Sequence, residues 1–247
     1  MFPKTTNLSF ILSPDTSLWI FGYGSLTWKP NFEFSSHRYG HIDGFARRFW
    51  QGSVTHRGTP DTPGRVATLV KSDKEECWGT AFEVRGEEQI IGALQHLRIR
   101  EGVQGGYEAC YVRFQPIDDS STPMQVLVFI AVPENSLFLG WAELSTMARE
   151  IAAAGGASGP NCEYVFELAE YMRKTFPGVW DDHLFELEAL VRDFVQSNCI
   201  CCRDTRTIAD ECLNSHSCHR NQKQESIIPL EGTVGSQTTT CHKVLTY

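Results

Sequence analysis

An apolar run that stops abruptly at a glycine-interleaved loop is the feature that most constrains the fold of this chain. Residues 18–21 predict a strand buried on both faces, and residues 22–27 follow it directly as a loop. Gly22 and Gly24 supply positions where φ can be positive and where another molecule can approach the backbone closely. Backbone N–H groups in such a loop can bind a carboxylate or phosphate, and the alternative is a tight connection without a ligand.

Length and charge narrow the class of protein. The 247 residues suffice for one sizeable core, with 41% apolar and 21% charged residues. A formal charge of -8 disfavours binding to nucleic acid or to an anionic membrane. The sequence contains no apolar segment of about 20 residues, and its N-terminus lacks the apolar core of a signal peptide. We therefore expect a cytosolic protein without nucleic-acid or membrane partners.

The cysteines are distributed unevenly. Of the nine, three lie in the first 195 residues, and six lie in residues 196–247. Such a distribution differs from that of a small disulfide-rich domain and favours a reduced compartment. The C-terminal segment lacks periodicity and is predicted to be disordered, and its Cys and His spacing lacks the paired C-x2-C pattern of zinc sites. No metal is therefore predicted.

Strand patterns dominate the first half of the chain. A Gly- and Pro-rich loop at residues 56–65 separates the second and third of them, and Gly79 predicts a bulge or close approach. Two short neighbouring strands, residues 66–70 and 77–84, are predicted to pair. The sequence thus predicts five or six strands in one sheet or small barrel, at residues 18–21, 41–53, 66–70, 77–84, 109–114 and 126–132.

Helical patterns dominate the second half. The first helix is predicted at residues 87–97, before a loop at 100–107. Asn161 is predicted to cap a later helix. The three later helices, predicted at residues 144–151, 161–172 and 181–194, are expected to cover the sheet. The fold class is therefore a mixed α/β (α+β) fold, a small β-barrel or sheet flanked by helices. It occupies residues 18–195, between an N-terminal extension at 1–17 and the tail at 196–247.

The common catalytic motifs are absent from the sequence. We find no G-x-S-x-G, no phosphate-binding loop, no H-E-x-x-H and no G-x-G-x-x-G opening a helix. What remains is the glycine-interleaved loop and one carboxylate, Glu101, placed after a helix and before Gly102. Most glutamates in such loops are simply solvated. His56 and Tyr164 likewise have ordinary interpretations, as a loop hydrogen-bond partner and a core ring.

Four motifs in order carry a resemblance to a known family. They are FGYGSLTW, RRFWQGSVTHRGTPDTPGRVATLV, REGVQGGY and GPNCEYVFELA. Together they closely resemble the ChaC family of glutathione-specific γ-glutamylcyclotransferases, over about residues 18–195. The resemblance implies a γ-glutamylcyclotransferase-like fold with a small β-barrel. It also implies a lyase that splits glutathione into 5-oxoproline and cysteinylglycine without a cofactor.

The resemblance also implies site residues. Glu101 would be the proton acceptor, and Tyr164 would help hold the substrate. The loop of residues 22–27, called the cradle below, would bind the substrate through Gly22, Tyr23, Gly24, Ser25, Leu26 and Thr27. Two features depart from the family pattern, because Thr27 stands where an aliphatic residue is expected and REGVQGGY is longer than the shortest family form.

Two other functions remain open at this point. One is a cyclotransferase for other γ-glutamyl compounds, which would use the same cradle and base with a different wall around the leaving group. The other is a non-catalytic interaction protein that keeps the pocket, which the presence of Glu101 disfavours.

Overall fold

The structure, a computed structural model, describes residues 16–102, 107–118 and 122–198. Within these ranges nothing is described of the side chains of Ile99, Glu101 and Asn198. The chain separates into two units, Met1–Val195 and Gln196–Tyr247, and only the first three residues of the second are described. The predicted disordered tail, with its six cysteines, thus lies outside the described residues from Cys199 onward.

Five strands close into a barrel, as one of the two predicted arrangements requires. Around the barrel the order is β1-β3-β2-β4-β5, and all contacts are antiparallel except the parallel one between β1 and β5. That closing contact pairs Ile20 with Leu127. The strands are β1 Ser17–Gly22, β2 Ser36–Ser53, β3 Gly64–Arg85, β4 Tyr107–Pro116 and β5 Met124–Ala131.

The prediction of two paired strands at 66–70 and 77–84 is wrong, because both belong to the single strand β3. Residues 71–76 are mostly exposed, and within them Lys71 pairs with Phe45 and Glu76 with Asp43, with a shift of register between the two pairs. Polar residues between two apolar runs therefore mark an exposed part of one long strand. The close approach predicted at Gly79 is confirmed, since a Cβ there would lie 2.2 Å from the Gly22 carbonyl oxygen.

Four helices and two short elements complete the fold. Helix α1 extends five residues past its predicted end, so the segment 100–102 is helical and the prediction of a loop there is wrong. Ser25–Thr27 form a 3-10 turn, and Gly155–Gly156 pair with Gly159–Pro160. The helices are α1 Gly86–Gly102, α2 Leu144–Ala153, α3 Asn161–Thr175 and α4 Asp182–Asn198. None in the described part of the chain is long and apolar enough to cross a membrane.

The side chain of Asn161 does not cap α3, contrary to prediction. It is fully buried and instead forms two hydrogen bonds with the backbone of Arg65, accepting from its N–H at 2.6 Å and donating to its carbonyl at 2.8 Å. Because a buried strand N–H and C=O need partners, this amide replaces a neighbouring strand and joins the start of α3 to β3.

Strand β1 is buried on both faces, as predicted, because it belongs to two apolar clusters. Phe21 packs in the main core with residues of α2, α3 and α4, whereas Ile20 packs in a second cluster. The second cluster joins α1 to the barrel, through Ile20, Leu26, Val84, Ile90, Ala93, Leu97, Leu127 and Phe129. The cradle therefore begins where the two clusters meet.

A buried arginine connects the end of β1 to the rest of the barrel. Arg47 on β2 is 2% exposed, and its Nε donates to the Tyr23 carbonyl at 2.8 Å. The guanidinium also donates to the carboxylate of Asp181, at 2.6 Å, and to the carbonyl of Trp78. One cation thus fixes the cradle, β3 and the residue before α4 relative to one another.

We expect Arg47→Met to lower the free energy of unfolding by about 3 kcal/mol or more, because the substitution leaves Asp181 and two carbonyls without their partner. Chemical denaturation monitored by circular dichroism measures the change. The matched control is Arg48→Met, which removes a more exposed pair with Glu75 and should cost less than about 1 kcal/mol. Equal losses in the two variants would contradict the role given to Arg47.

His183 should make the fold sensitive to acid. Its Nε2 accepts a hydrogen bond from the Phe49 N–H at 3.2 Å, and burial, then the charge of Arg48, lower its pKa to about 4. Since the folded pKa lies below the unfolded one, near 6.5, protonation favours the unfolded state as the pH falls between these values. The contribution to the free energy of unfolding should decline there by up to about 1.4 kcal/mol per pH unit.

Denaturation at several pH values between 7 and 4 checks this prediction. His183→Gln should show a shallower decline than the wild type, whereas His37→Gln, at an exposed position, should follow the wild type. Parallel pH curves for His183→Gln and the wild type would refute the prediction.

Candidate active site

A cavity of about 550 Å³ opens beside the cradle. Its size lies within the range of roughly 300–1,000 Å³ that is usual for small-molecule sites. Its wall also includes residues of the loop after β2, of strands β3, β4 and β5, of the turn before α3, and of helices α1 and α3. The polar lining residues are Tyr23, Ser25, Lys29, Asn31, Ser53, Thr55, His56, Arg57, His96, Arg100, Tyr107, Ser158 and Tyr164.

The cradle contributes four of its six predicted residues to the cavity wall. Tyr23, Gly24, Ser25 and Leu26 line it, whereas Gly22 and Thr27 are not among the lining residues. The N–H and hydroxyl of Thr27 both donate to the Gly24 carbonyl, at 2.9 and 2.8 Å, and so close the 3-10 turn. Tyr23 is buried and its hydroxyl donates to the Phe129 carbonyl at 2.7 Å.

The glycines of the cradle serve close packing rather than a left-handed backbone. Neither uses the positive φ that glycine allows, since Gly24 has a φ of −126° and Gly22 is not among the positive-φ glycines. A Cβ on Gly24 would lie 2.5 Å from the Tyr164 hydroxyl, and one on Gly22 would lie 2.9 Å from the Leu26 Cβ. A side chain at either position would therefore displace a neighbour.

Tyr164, a residue of α3, lies against the cradle. Its ring is buried, with edge contacts to Trp28 and Phe49 at centroid distances of 5.4 and 6.0 Å. Its hydroxyl accepts a hydrogen bond from the Ala67 N–H at 3.3 Å. The ring thus lies in the core, as its ordinary interpretation requires, while the residue also lines the cavity beside Gly24.

The backbone of Glu101 lies in the last turn of α1, and its side chain is outside the described part of the structure. The preceding residue, Arg100, lines the cavity and donates to the Ser25 hydroxyl oxygen and, at 2.9 Å, to the Lys29 carbonyl. The turn that carries Glu101 therefore lies against the cradle, although the two segments are some 75 residues apart in sequence.

The described lining residues carry cationic side chains and no carboxylate. The cations are Lys29, Arg57 and Arg100, of which Arg57 is paired at 2.9 Å with Glu163 outside the lining. Burial, and then the charge of Arg100, lower the pKa of His96, so that its imidazole is neutral near pH 7. This distribution of charge suits an anionic ligand.

The far wall of the cavity contains residues that the sequence analysis did not assign to a site. Ser158 and Ala157 donate through their backbone N–H groups to the carbonyls of His56 and Thr55, at 2.8 and 2.9 Å. These bonds hold the Gly155–Pro160 turn against the loop after β2. The motif HRGTPDTPGR was the available signal, because a Gly- and Pro-rich loop with His and Arg often belongs to a site.

Candidate metal ligands in the described part of the chain lie elsewhere. His41, Asp43 and Glu76 offer ligand atoms within 4.8 Å of one another on the paired strands β2 and β3. The His41 Nδ1 lies 3.1 and 3.3 Å from the two carboxylates, so the close contact of one imidazole with two acidic side chains accounts for the group. None of the three lines the cavity.

Comparison with known proteins gives consistent results. A family model described as "ChaC-like protein" matches residues 18–194. A zebrafish (Danio rerio) protein named glutathione-specific γ-glutamylcyclotransferase 1 is 48% identical over 179 residues, covering 72% of this chain and 91% of the relative. A human protein of the same name is 46% identical, covering 68% and 75%.

A solved structure shares the fold. The crystal structure of a selenomethionine-labelled γ-glutamylcyclotransferase specific to glutathione from yeast superposes with a TM-score of 0.66 at 26% identity. The match covers 73% of this chain and 97% of the other. With a family model that spans most of the chain, and relatives close to half identical, this chain belongs to the ChaC-like family.

Proposed function

We propose that the chain is a γ-glutamylcyclotransferase that degrades glutathione to 5-oxoproline and cysteinylglycine. The observation that carries the proposal is the cavity that joins the cradle, Tyr164 and the last turn of α1. The names of the relatives, which specify glutathione, support the choice of substrate. The cationic lining supports it as well, because glutathione has two carboxylates.

Closure of the lactam needs a base near the substrate amine. The α-ammonium of the γ-glutamyl group is mostly protonated near neutrality, so its nitrogen must lose a proton before its lone pair can attack. Glu101 takes this proton in the proposed reaction, and a positioned base of matched pKa contributes on the order of 10²–10⁴-fold. The last turn of α1 supports this role, since Arg100 attaches that turn to the cradle.

The reaction is an internal displacement. The free amine attacks the γ-carbonyl carbon, which closes the five-membered ring, and the bond from that carbon to the cysteinyl nitrogen breaks. Glu101 returns its proton to the leaving nitrogen. The ring nitrogen loses a second proton as the lactam forms, and the amine of cysteinylglycine takes up a proton as it becomes an ammonium, so that both products are released without any other reactant. Holding the γ-glutamyl chain in a folded geometry supplies a further intramolecular advantage.

The cradle supplies polar groups for the substrate's oxygens. The first N–H groups of a short helical turn have no acceptor within the turn, so those at the start of Ser25–Thr27 can donate to a bound carboxylate or to the developing oxyanion. The Tyr164 hydroxyl lies beside Gly24 and would limit the space on the other side of the bound carboxylate or oxyanion.

Glu101→Gln should reduce the release of 5-oxoproline from glutathione by about 10²-fold or more, because an amide cannot accept the proton. Purified variants are incubated with glutathione, and both products are quantified by chromatography. The control is Glu88→Gln, an exposed glutamate at the other end of α1, which should retain wild-type activity.

The same assay separates the proposal from its alternatives. Undiminished release by Glu101→Gln would overturn the assignment of the base. Turnover of other γ-glutamyl dipeptides without turnover of glutathione would replace the proposed substrate, and a wild-type protein inactive on all of them would overturn the enzymatic function.

Gly24→Ala should lower kcat/KM for glutathione about 10-fold or more, since its Cβ would lie 2.5 Å from the Tyr164 hydroxyl and displace it. Tyr164→Phe removes that hydroxyl and makes room. Gly24→Ala should therefore have little further effect in a Tyr164→Phe background. If the loss of kcat/KM in the double variant Gly24→Ala/Tyr164→Phe equals the product of the two single losses, the two positions do not interact.

A further inference from the structure

Arg100 forms a connection between two segments that the proposed reaction needs together. Its two terminal nitrogens donate to different residues of one segment, the Ser25 hydroxyl oxygen and the Lys29 carbonyl. Hydrogen bonds from a guanidinium are stronger than neutral ones, and its planar fork fixes their direction. The last turn of α1 is therefore held at two points, one in the cradle and one two residues after it.

Among the described side chains of α1, the apolar contacts end before this turn. Ile90, Ala93 and Leu97 are buried in the second cluster, and Leu97 is the last of its described members along the helix. Arg98, which follows, is exposed. Leu26 of the cradle belongs to the same cluster, so the cluster sets the position of α1 and Arg100 sets its end.

The bond between Arg100 and Ser25 also has a fixed direction. A guanidinium only donates, so the Ser25 oxygen is the acceptor and the serine keeps its own proton for another partner. The neighbouring hydroxyl of Thr27 differs, because it already donates to the Gly24 carbonyl. Since Ser25 lines the cavity, its proton can be donated to a bound ligand.

We propose that Arg100 is a positioning residue that holds the Glu101 turn on the cradle and leaves Ser25 as a hydrogen-bond donor to the substrate. The inference rests on the proposed function and extends it. The substrate atom to which Ser25 donates is then an acceptor, the α-carboxylate or the γ-carbonyl oxygen. A donor that itself accepts from a cation is also a stronger donor.

The test is a set of variants assayed on glutathione: Ser25→Ala, Arg100→Met, Arg100→Lys and the double variant Ser25→Ala/Arg100→Met. Arg100→Met should lower kcat by about 10- to 100-fold with a smaller change in KM, because the base is displaced. Arg100→Lys keeps one cationic donor and should recover part of the loss. The double variant should lose less than the product of the two single losses.

Arg98→Met is the matched control, since it removes an exposed arginine from the same helix, and it should keep wild-type kcat and KM. Thermal unfolding by circular dichroism confirms that each variant is folded. If Arg100→Met does not fold, the comparison of Ser25→Ala and Arg100→Lys, singly and combined, still measures the coupling.

Failure of this inference differs from failure of the proposed function. If the wild type releases 5-oxoproline and the kcat of Arg100→Met is within about twofold of the wild-type kcat, the inference is overturned and the proposed function stands. The inference is also overturned if the loss of kcat in the double variant equals the product of the losses in Ser25→Ala and Arg100→Met. A wild-type protein with no activity removes the proposed function on which the inference rests.

Discussion

The rest of the structure depends most on the hydrogen bonds that the buried guanidinium of Arg47 donates. A buried cation is tolerated only when carbonyls and carboxylates surround it, and here they come from the cradle, from β3 and from the residue before α4. Its bond to the Tyr23 carbonyl fixes the backbone where β1 ends. The geometry of the site is thus set from inside the barrel, by a side chain that is not among the lining residues.

Much of the fold could be predicted from local patterns, and the errors have physical causes. Alternating and continuous apolar runs predicted the strands, because burial acts on each of them separately. Residues 71–76 suggested a break because they are polar and exposed, yet β3 continues through them, with pairs to β2 at Lys71 and Glu76 and a shift of register between these pairs. The glycine of Arg100-Glu101-Gly102 suggested a loop, but the bonds of Arg100 support a further helical turn.

Less of the candidate site could be predicted in this way. The spacing of glycines indicated the cradle, and the family resemblance indicated Glu101 and Tyr164, whose assigned roles remain proposals. The roles of Arg47 and Arg100 could not be predicted from the sequence, because their hydrogen-bond partners are far away along the chain. An arginine beside apolar residues usually keeps its charged group in solvent. The sequence also could not show why position 24 needs a glycine, because the space around Gly24 is limited by Tyr164, 140 residues later.

The division of the apolar residues into two clusters has a consequence for how the molecule comes apart. The described side chains of α1 contribute only to the smaller cluster, whereas α2, α3 and α4 contribute to the main core. Sub-global opening can detach an element that has few contacts while the remaining structure persists. Separation of α1 would carry the Glu101 turn away from the cradle and leave the barrel closed, so this fold has a route by which the site disassembles before the domain does.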